Sequence, residues 1–201
     1  MDSKSLFQEL MNLIELNTKH VPILSRRYSR TDIESAIKIH PIPDNLISIY
    51  SCIDKDAKEH NFRYSLTPGY YLIQLEQIDT FINVFKESRS SWIREIGENR
   101  YHEFLRGWEP DMIPFLEDGG GGYICIRTLP NDRSIWYLPK AMDSHKINTN
   151  LDRFILTAIE CYRQGAYYKD WDNDGVWDTD WEMAREIVKQ IDPEIENYSP
   201  P

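Results

Sequence analysis

The chain has 201 residues, 41% of them apolar, and a net charge of -10 from 33 acidic and 23 basic side chains. A chain of this length supports one core that buries roughly 70% of the unfolded surface, and the composition excludes disordered and fibrous classes. So acidic a protein repels phosphate backbones and anionic membrane surfaces, which excludes nucleic-acid and membrane binding and makes a basic partner the expected charged one.

The opening stretch MDSKSLFQELMNLIELNTKH has Asp2, Lys4 and Glu9 within it and no uninterrupted apolar core, which argues against a signal peptide. Its Leu6, Leu10, Leu13 and Ile14, with Phe7 beside them, fall on one helical face and predict an amphipathic helix over residues 5–16. After the basic connection SRRYSR, Thr31 followed three residues later by Glu34 has capping-box spacing and predicts a second helix to about residue 39. Pro41 and Pro43 stop it, and PDNLISIYSCI restarts a helix with Asp44 in its first turn.

Beyond the polar stretch DKDAKEHNFR, PGYYLIQ reads as a strand opened by a turn. LEQIDTFINVFKES returns to helical periodicity through Leu75, Ile78, Phe81, Ile82 and Phe85, and residues 89–107 read as a mixed-charge helical or irregular excursion. MIPFL, YICIRT and SIWYLP are three candidate strands, the last two joined by LPNDR, a hairpin-like connection. LDRFILTAIECYR then places Leu151, Phe154, Ile155, Ala158, Ile159 and Tyr162 on one core-facing helical stripe. Helices before and after a run of strands predict a single α+β domain: a largely antiparallel sheet flanked by N-terminal and C-terminal helices. The cysteines Cys52, Cys125 and Cys161 are widely spaced among apolar neighbours, as suits buried free thiols in a reducing, cytoplasmic compartment.

Four glycines, Gly119 to Gly122, separate two of the candidate strands. A phosphate-binding loop leads into a helix and commonly carries a lysine, whereas this run leads into the alternating YICIRT with no GK[ST] after it. The expectation is a tight strand-to-strand turn that uses positive φ. The histidines are scattered, no GxSxG or HExxH occurs, and Asp143 with His145 in KAMDSHK reads as a polar surface turn. Catalysis is not expected.

The order of a capped helix, IPDNLISIYSCID, PGYYLIQLEQI, IPFLEDGGGGYICI and a terminal helix ending in RQGAY resembles the SUKH superfamily, the Smi/Knr-like domain. Yeast cell-wall assembly regulators and many bacterial immunity proteins share that domain. The resemblance runs from about Thr31 to Pro193, leaving 1–30 as an N-terminal helix and connection and 194–201 as a polar tail. It implies an α+β protein-binding module without catalytic residues, often encoded beside a toxin that it neutralises. The chain departs from the family at Met112, where tryptophan is frequent, and at Gly122 and Arg127, where one or both positions often hold aspartate. Trp108 is the candidate to fill the space of the missing tryptophan.

The acidity concentrates at one end. From Ala166 to Pro201 ten acids face three bases, a local net of -7, whereas Met1 to Arg30 has three acids against five bases. Within YYKDWDNDGVWDTDWE, the residues Asp170, Asp172, Asp174 and Gly175 occupy positions 1, 3, 5 and 6 of an EF-hand-type loop, and Asp178 occupies position 9. Position 12, where a bidentate glutamate is needed, is Trp181, and Glu182 comes one residue late. Ca²⁺ is thus at most a weak ligand of Asp170, Asp172, Asp174 and Asp178, and no other cofactor is expected. The interleaved Trp171, Trp177 and Trp181 suggest a different use, with Asp172, Asp174, Asp178, Asp180 and Glu182, as a face for a basic protein. The sequence therefore predicts an immunity protein that neutralises a basic toxin domain, with a regulatory scaffold or a weak Ca²⁺-dependent binding protein as alternatives.

Overall fold

The computed structural model describes residues 2–17, 27–39, 41–53, 65–104, 107–140, 143–170, 172 and 176–195. Helix α1 (Ser3–Asn17) buries Leu6, Phe7, Leu10 and Met11, and packs against the later helix α6 (Leu151–Gln164). The charged pair Arg163–Glu9 ties the two helices at their surface. Helix α2 (Arg30–Ala36) has a capping box, but on residues two positions earlier than the sequence predicts. Ser29, not Thr31, is the N-cap: its hydroxyl accepts from Asp32 N at 3.2 Å, and Asp32 Oδ2 accepts from Ser29 N at 2.7 Å. The same Ser/Thr-x-x-acid spacing occurs in two frames here, and Glu34 is instead drawn to Arg30, which also reaches Asp44 at 2.7 Å. Helix α3 (Asp44–Tyr50) follows Pro43 as expected.

A six-stranded, wholly antiparallel sheet has the sequential order β1 (Ser65–Thr67), β2 (Tyr70–Leu72), β3 (Met112–Glu117), β4 (Tyr123–Arg127), β5 (Ile135–Leu138), β6 (His145–Asn148). This is the α+β, largely antiparallel architecture that the sequence predicts. Strand β1 is an addition. So is β6: the polar turn expected around Asp143 and His145 is an edge strand, with His145 opposite Tyr137 and their rings 5.4 Å apart. Its few polar residues hide a strand because one face of an edge strand meets solvent.

Between β2 and β3, α4 (Leu75–Ile96) extends well past the predicted periodic run and ends at Gly97, whose φ is 83°. Helix α5 (Glu98–Phe104) follows. Phe81 and Phe85 of α4 meet the Tyr123 ring edge-on at 5.3 and 4.8 Å, and Phe85 stacks on Trp108 at 5.9 Å. Trp108 is buried, and its indole N–H donates to the Met112 carbonyl at 2.9 Å, so an indole does pack beside Met112. Helix α6 buries Leu151, Phe154, Ile155, Ala158 and Ile159 of the predicted stripe, while Tyr162 is half-buried; Phe154 meets Phe115 edge-on at 5.9 Å. All three cysteines are free and buried, as expected, and burial pushes the Cys161 thiol up to about 12.

The glycine run is the turn between β3 and β4. Gly119 and Gly121 have φ of 71° and 104°, and Asp118 Oδ1 accepts from Gly120 N at 2.7 Å and Gly122 N at 2.8 Å. A Cβ on Gly122 would lie 2.6 Å from Asp118 Oδ2, so any larger residue there would push the Asp118 carboxylate from its place against Gly120 N and Gly122 N. At the other departure, Arg127 forms a two-pronged pair with Asp111 at 2.7 and 2.9 Å. A buried carboxylate closes the far end of the sheet. Asp192, 2% exposed, accepts from Thr149 N at 2.7 Å, from the Thr149 hydroxyl at 2.9 Å and from Asn148 Nδ2 at 3.3 Å.

Candidate partner-binding face

Helix α6 stops at Gly165, in the left-handed conformation at φ 81°, and the chain turns through buried Ala166 into a two-stranded hairpin. Its strands are β7 (Tyr167–Asp170) and β8 (Val176–Thr179), antiparallel with Tyr167 opposite Thr179 and Tyr168 opposite Asp178. Asp180 then caps helix α7 (Trp181–Ile191), its Oδ1 accepting from Glu182 N at 3.1 Å and Met183 N at 3.0 Å. The backbone bond from Asp180 N to Ala166 O, 2.8 Å, holds hairpin and helix start together.

Strand alternation sorts the hairpin side chains into two faces. On the inner one Tyr167 and Thr179 are buried, and Tyr162 of α6 meets the Tyr167 and Trp177 rings edge-on at 5.0 and 5.2 Å. Trp177 is therefore half-buried and anchored to the core, with the Lys169 ammonium 5.5 Å from its ring centroid. On the outer face Tyr168 is 42% exposed, and its hydroxyl donates to Asp178 Oδ2 at 3.4 Å. The charge of Asp178 pushes the Tyr168 phenol above its ordinary value, with Asp170 and Asp180 acting in the same direction. Three carboxylates thus crowd one exposed phenol.

Trp181 and Met183, at the start of α7, are 43% and 39% exposed, and Glu182 between them is exposed too. Asp172 is exposed, its N–H donating to Asp170 Oδ1 at 3.1 Å. Trp171 and Asp174 lie outside the described residues, as does Gly175. Of the expected face, the fold sets Asp178 opposite Tyr168 and follows it with Asp180, Trp181 and Glu182, while Trp177 turns inward; Asp170, expected only as a weak Ca²⁺ candidate, lies on the Tyr168 face of β7. Sequence reasoning passed over Tyr168 and Met183. Strict alternation through YYKD would have found the tyrosine, since one of two neighbouring tyrosines in a strand must face outward when the other is buried.

The EF-hand pattern meets a different backbone. Two strands flank the loop where an EF-hand has two helices, and Asp178 is engaged by its own neighbours, with Thr179 N donating to Oδ1 at 2.7 Å and the Tyr168 hydroxyl to Oδ2. Among the described residues no group of three or more His, Cys, Asp or Glu side chains has metal-binding geometry.

No helix among the described residues is long and apolar enough to cross a membrane. No curated protein shows significant similarity to the chain. Residues 30–157 match the SMI1 / KNR4 family (SUKH-1), a span that takes in the six-stranded sheet and ends within α6, before the hairpin begins. With well over half of its length matched in this way, and with the antiparallel α+β sheet to go with it, the chain belongs to the SMI1 / KNR4 family (SUKH-1).

Proposed function

We propose that this protein is a non-enzymatic immunity protein of the cytoplasm that neutralises a basic toxin domain by covering its active or substrate-binding site. Family membership is consistent with a protein-binding domain of the immunity type. The observation that carries the reading is the concentration of exposed apolar and acidic groups at one place. Of the six exposed large hydrophobics among the described residues, Tyr168, Trp181 and Met183 belong to the hairpin and the start of α7. Apolar anchors supply affinity by excluding water, and the surrounding acids supply steering and exclude acidic competitors.

The same carboxylates accept hydrogen bonds locally but pair with no basic side chain among the described residues. Among the described residues Arg30, Lys38, Arg89, Arg127, Arg163 and Lys189 each pair with an acid, but no cation pairs with Asp170, Asp172, Asp178 or Asp180. A face left with unpaired charge of one sign is suited to a partner of the other. The face lies outside the span matched to the family, which fits a shared scaffold carrying a partner-specific surface.

The test is binding to the C-terminal domain of a toxin encoded beside this gene, measured by surface kinetics at low and at physiological salt. The expected result is a tight complex whose association slows as salt rises and whose formation abolishes toxin activity. A complex insensitive to salt, or no complex with any neighbouring toxin domain, would count against the reading.

A further inference from the structure

The hairpin contains two adjacent cross-strand pairs, each with one aromatic ring, on opposite faces. On the inner face the pair is Lys169 and Trp177, and the ammonium sits 5.5 Å from the ring centroid. On the outer face the pair is Tyr168 and Asp178, with Asp170 on the same face of β7. This second pair has the ring and the counter-charges of a cation site, but among the described residues no cation lies over Tyr168 and none pairs with Asp170, Asp178 or Asp180. The inner pair demonstrates that the hairpin geometry accepts a cation against an aromatic ring; the outer pair lacks only the cation.

Resting on the immunity reading, we propose that Tyr168 and Asp178 form the receptor for one arginine or lysine side chain of the basic partner, which lies on the Tyr168 ring while Asp178 and Asp170 neutralise its charge. The hydroxyl of Tyr168 is held toward Asp178 Oδ2 at 3.4 Å, which fixes the ring and leaves its outward side open to solvent, 42% of the residue being exposed. A guanidinium suits the arrangement better than an ammonium, because its plane stacks on a ring and its fork meets a carboxylate at the same time. Exposed Trp181 and Met183, following directly in the chain, give the rest of the partner's segment an apolar border.

The experiment titrates the whole protein with a capped hexa-arginine peptide by calorimetry, comparing wild type with Tyr168→Ala, Tyr168→Phe, Asp178→Asn and the distant charge control Glu87→Gln. Tyr168 and Asp178 are exposed, and a thermal melt of each variant is run to check that the fold is retained. The expected result is a loss of about tenfold in affinity for Tyr168→Ala and for Asp178→Asn, retention of most binding in Tyr168→Phe, and none of this for Glu87→Gln. If Tyr168→Ala binds as wild type does, the receptor is overturned while attraction of a basic partner to the acidic face survives. If wild type does not bind the peptide even at low salt, the receptor and the basic-partner reading fall together.

Discussion

The β3–β4 and β7–β8 hairpins each have, where the first strand ends, an aspartate that accepts a backbone N–H two residues on, at 2.7 Å for Asp118 and 3.1 Å for Asp170. From that shared start they diverge. Asp118 takes a second N–H from Gly122, its own N–H bonds the Gly122 carbonyl at 3.1 Å, and the Lys140 stem packs over Gly121, so the charge serves the loop's shape. In the other hairpin, among the described residues, Asp170 and Asp178 each accept a single backbone N–H, and both lie on the strand face of exposed Tyr168. A carboxylate becomes structural when enough N–H groups surround it, and otherwise remains available to a partner.

The contrast breaks most visibly at Gly122. Replacing it with aspartate, the residue common in the family, forces a Cβ within 2.6 Å of Asp118 Oδ2. A loss of about 3 kcal/mol or outright misfolding is expected, from overpacking together with like charge against like. Urea unfolding measures it, and a loss under about 0.5 kcal/mol would mean that the loop rebuilds freely. Next comes Asp118→Ala, which strands the N–H groups of Gly120 and Gly122 and is expected to cost about 1–3 kcal/mol. Asp118→Asn keeps the acceptor oxygen and should recover most of that. Equal losses for the two variants would show that charge, not hydrogen bonding, organises the turn.

Alkaline pH separates the two regions more gently. Tyr70, buried beside the glycine loop, has its phenol raised chiefly by burial and then by its hydrogen bond to Tyr137 and the charges near it, including Asp118. A phenol raised above its unfolded value of about 10 contributes stability that is full below that pH and is lost as pH climbs toward the folded value. Tyr50 and Tyr162 are raised by burial in the same sense. Melting temperature should therefore fall progressively from about pH 10 upward. Tyr70→Phe should flatten that fall, while Tyr168→Phe should flatten it less, because the exposed Tyr168 phenol is raised chiefly by the Asp178 charge, which solvent screens. The smallest effect on stability is expected from Asp172→Lys with Asp174→Lys, within about 0.5 kcal/mol of wild type. Its consequence is kinetic: slower association with a basic partner at low salt, whereas Trp181→Ala mainly speeds dissociation. Stopped-flow mixing distinguishes the two.

Long periodic elements were legible from residues alone. The α6 stripe, the α4 stripe and the strands on either side of the glycines are set by repeated burial, which leaves a period in the sequence. Edge strands β1 and β6 leave little period, being short and burying polar Thr67 and Asn148 beside Leu66 and Ile147, and the helix cap was legible as a pattern but not as a frame. For the candidate face, the acids and Trp181 could be read from composition. The inward turn of Trp177 could not, because it depends on Tyr162 of α6 reaching across to hold its ring. Nor could the role of Asp178 as a partner of Tyr168, which follows from a strand register that loop spacing disguises as a calcium motif.

The Asp192 cage has a consequence for the order of events during synthesis. The strands of the large sheet and all of α6 lie between residues 65 and 164, yet the carboxylate that satisfies Thr149 and Asn148 arrives only at residue 192. A nascent chain paused before that point has a complete set of strands but lacks the acceptor of the part-buried Thr149 N–H, and its buried Asn148 amide keeps only Thr157 Oγ1, at 3.4 Å. The hairpin and α7 are thus more than a surface added to a finished domain. They deliver the Asp192 carboxylate, so the ribosome passes the candidate face before the last hydrogen bonds at the end of β6 are made.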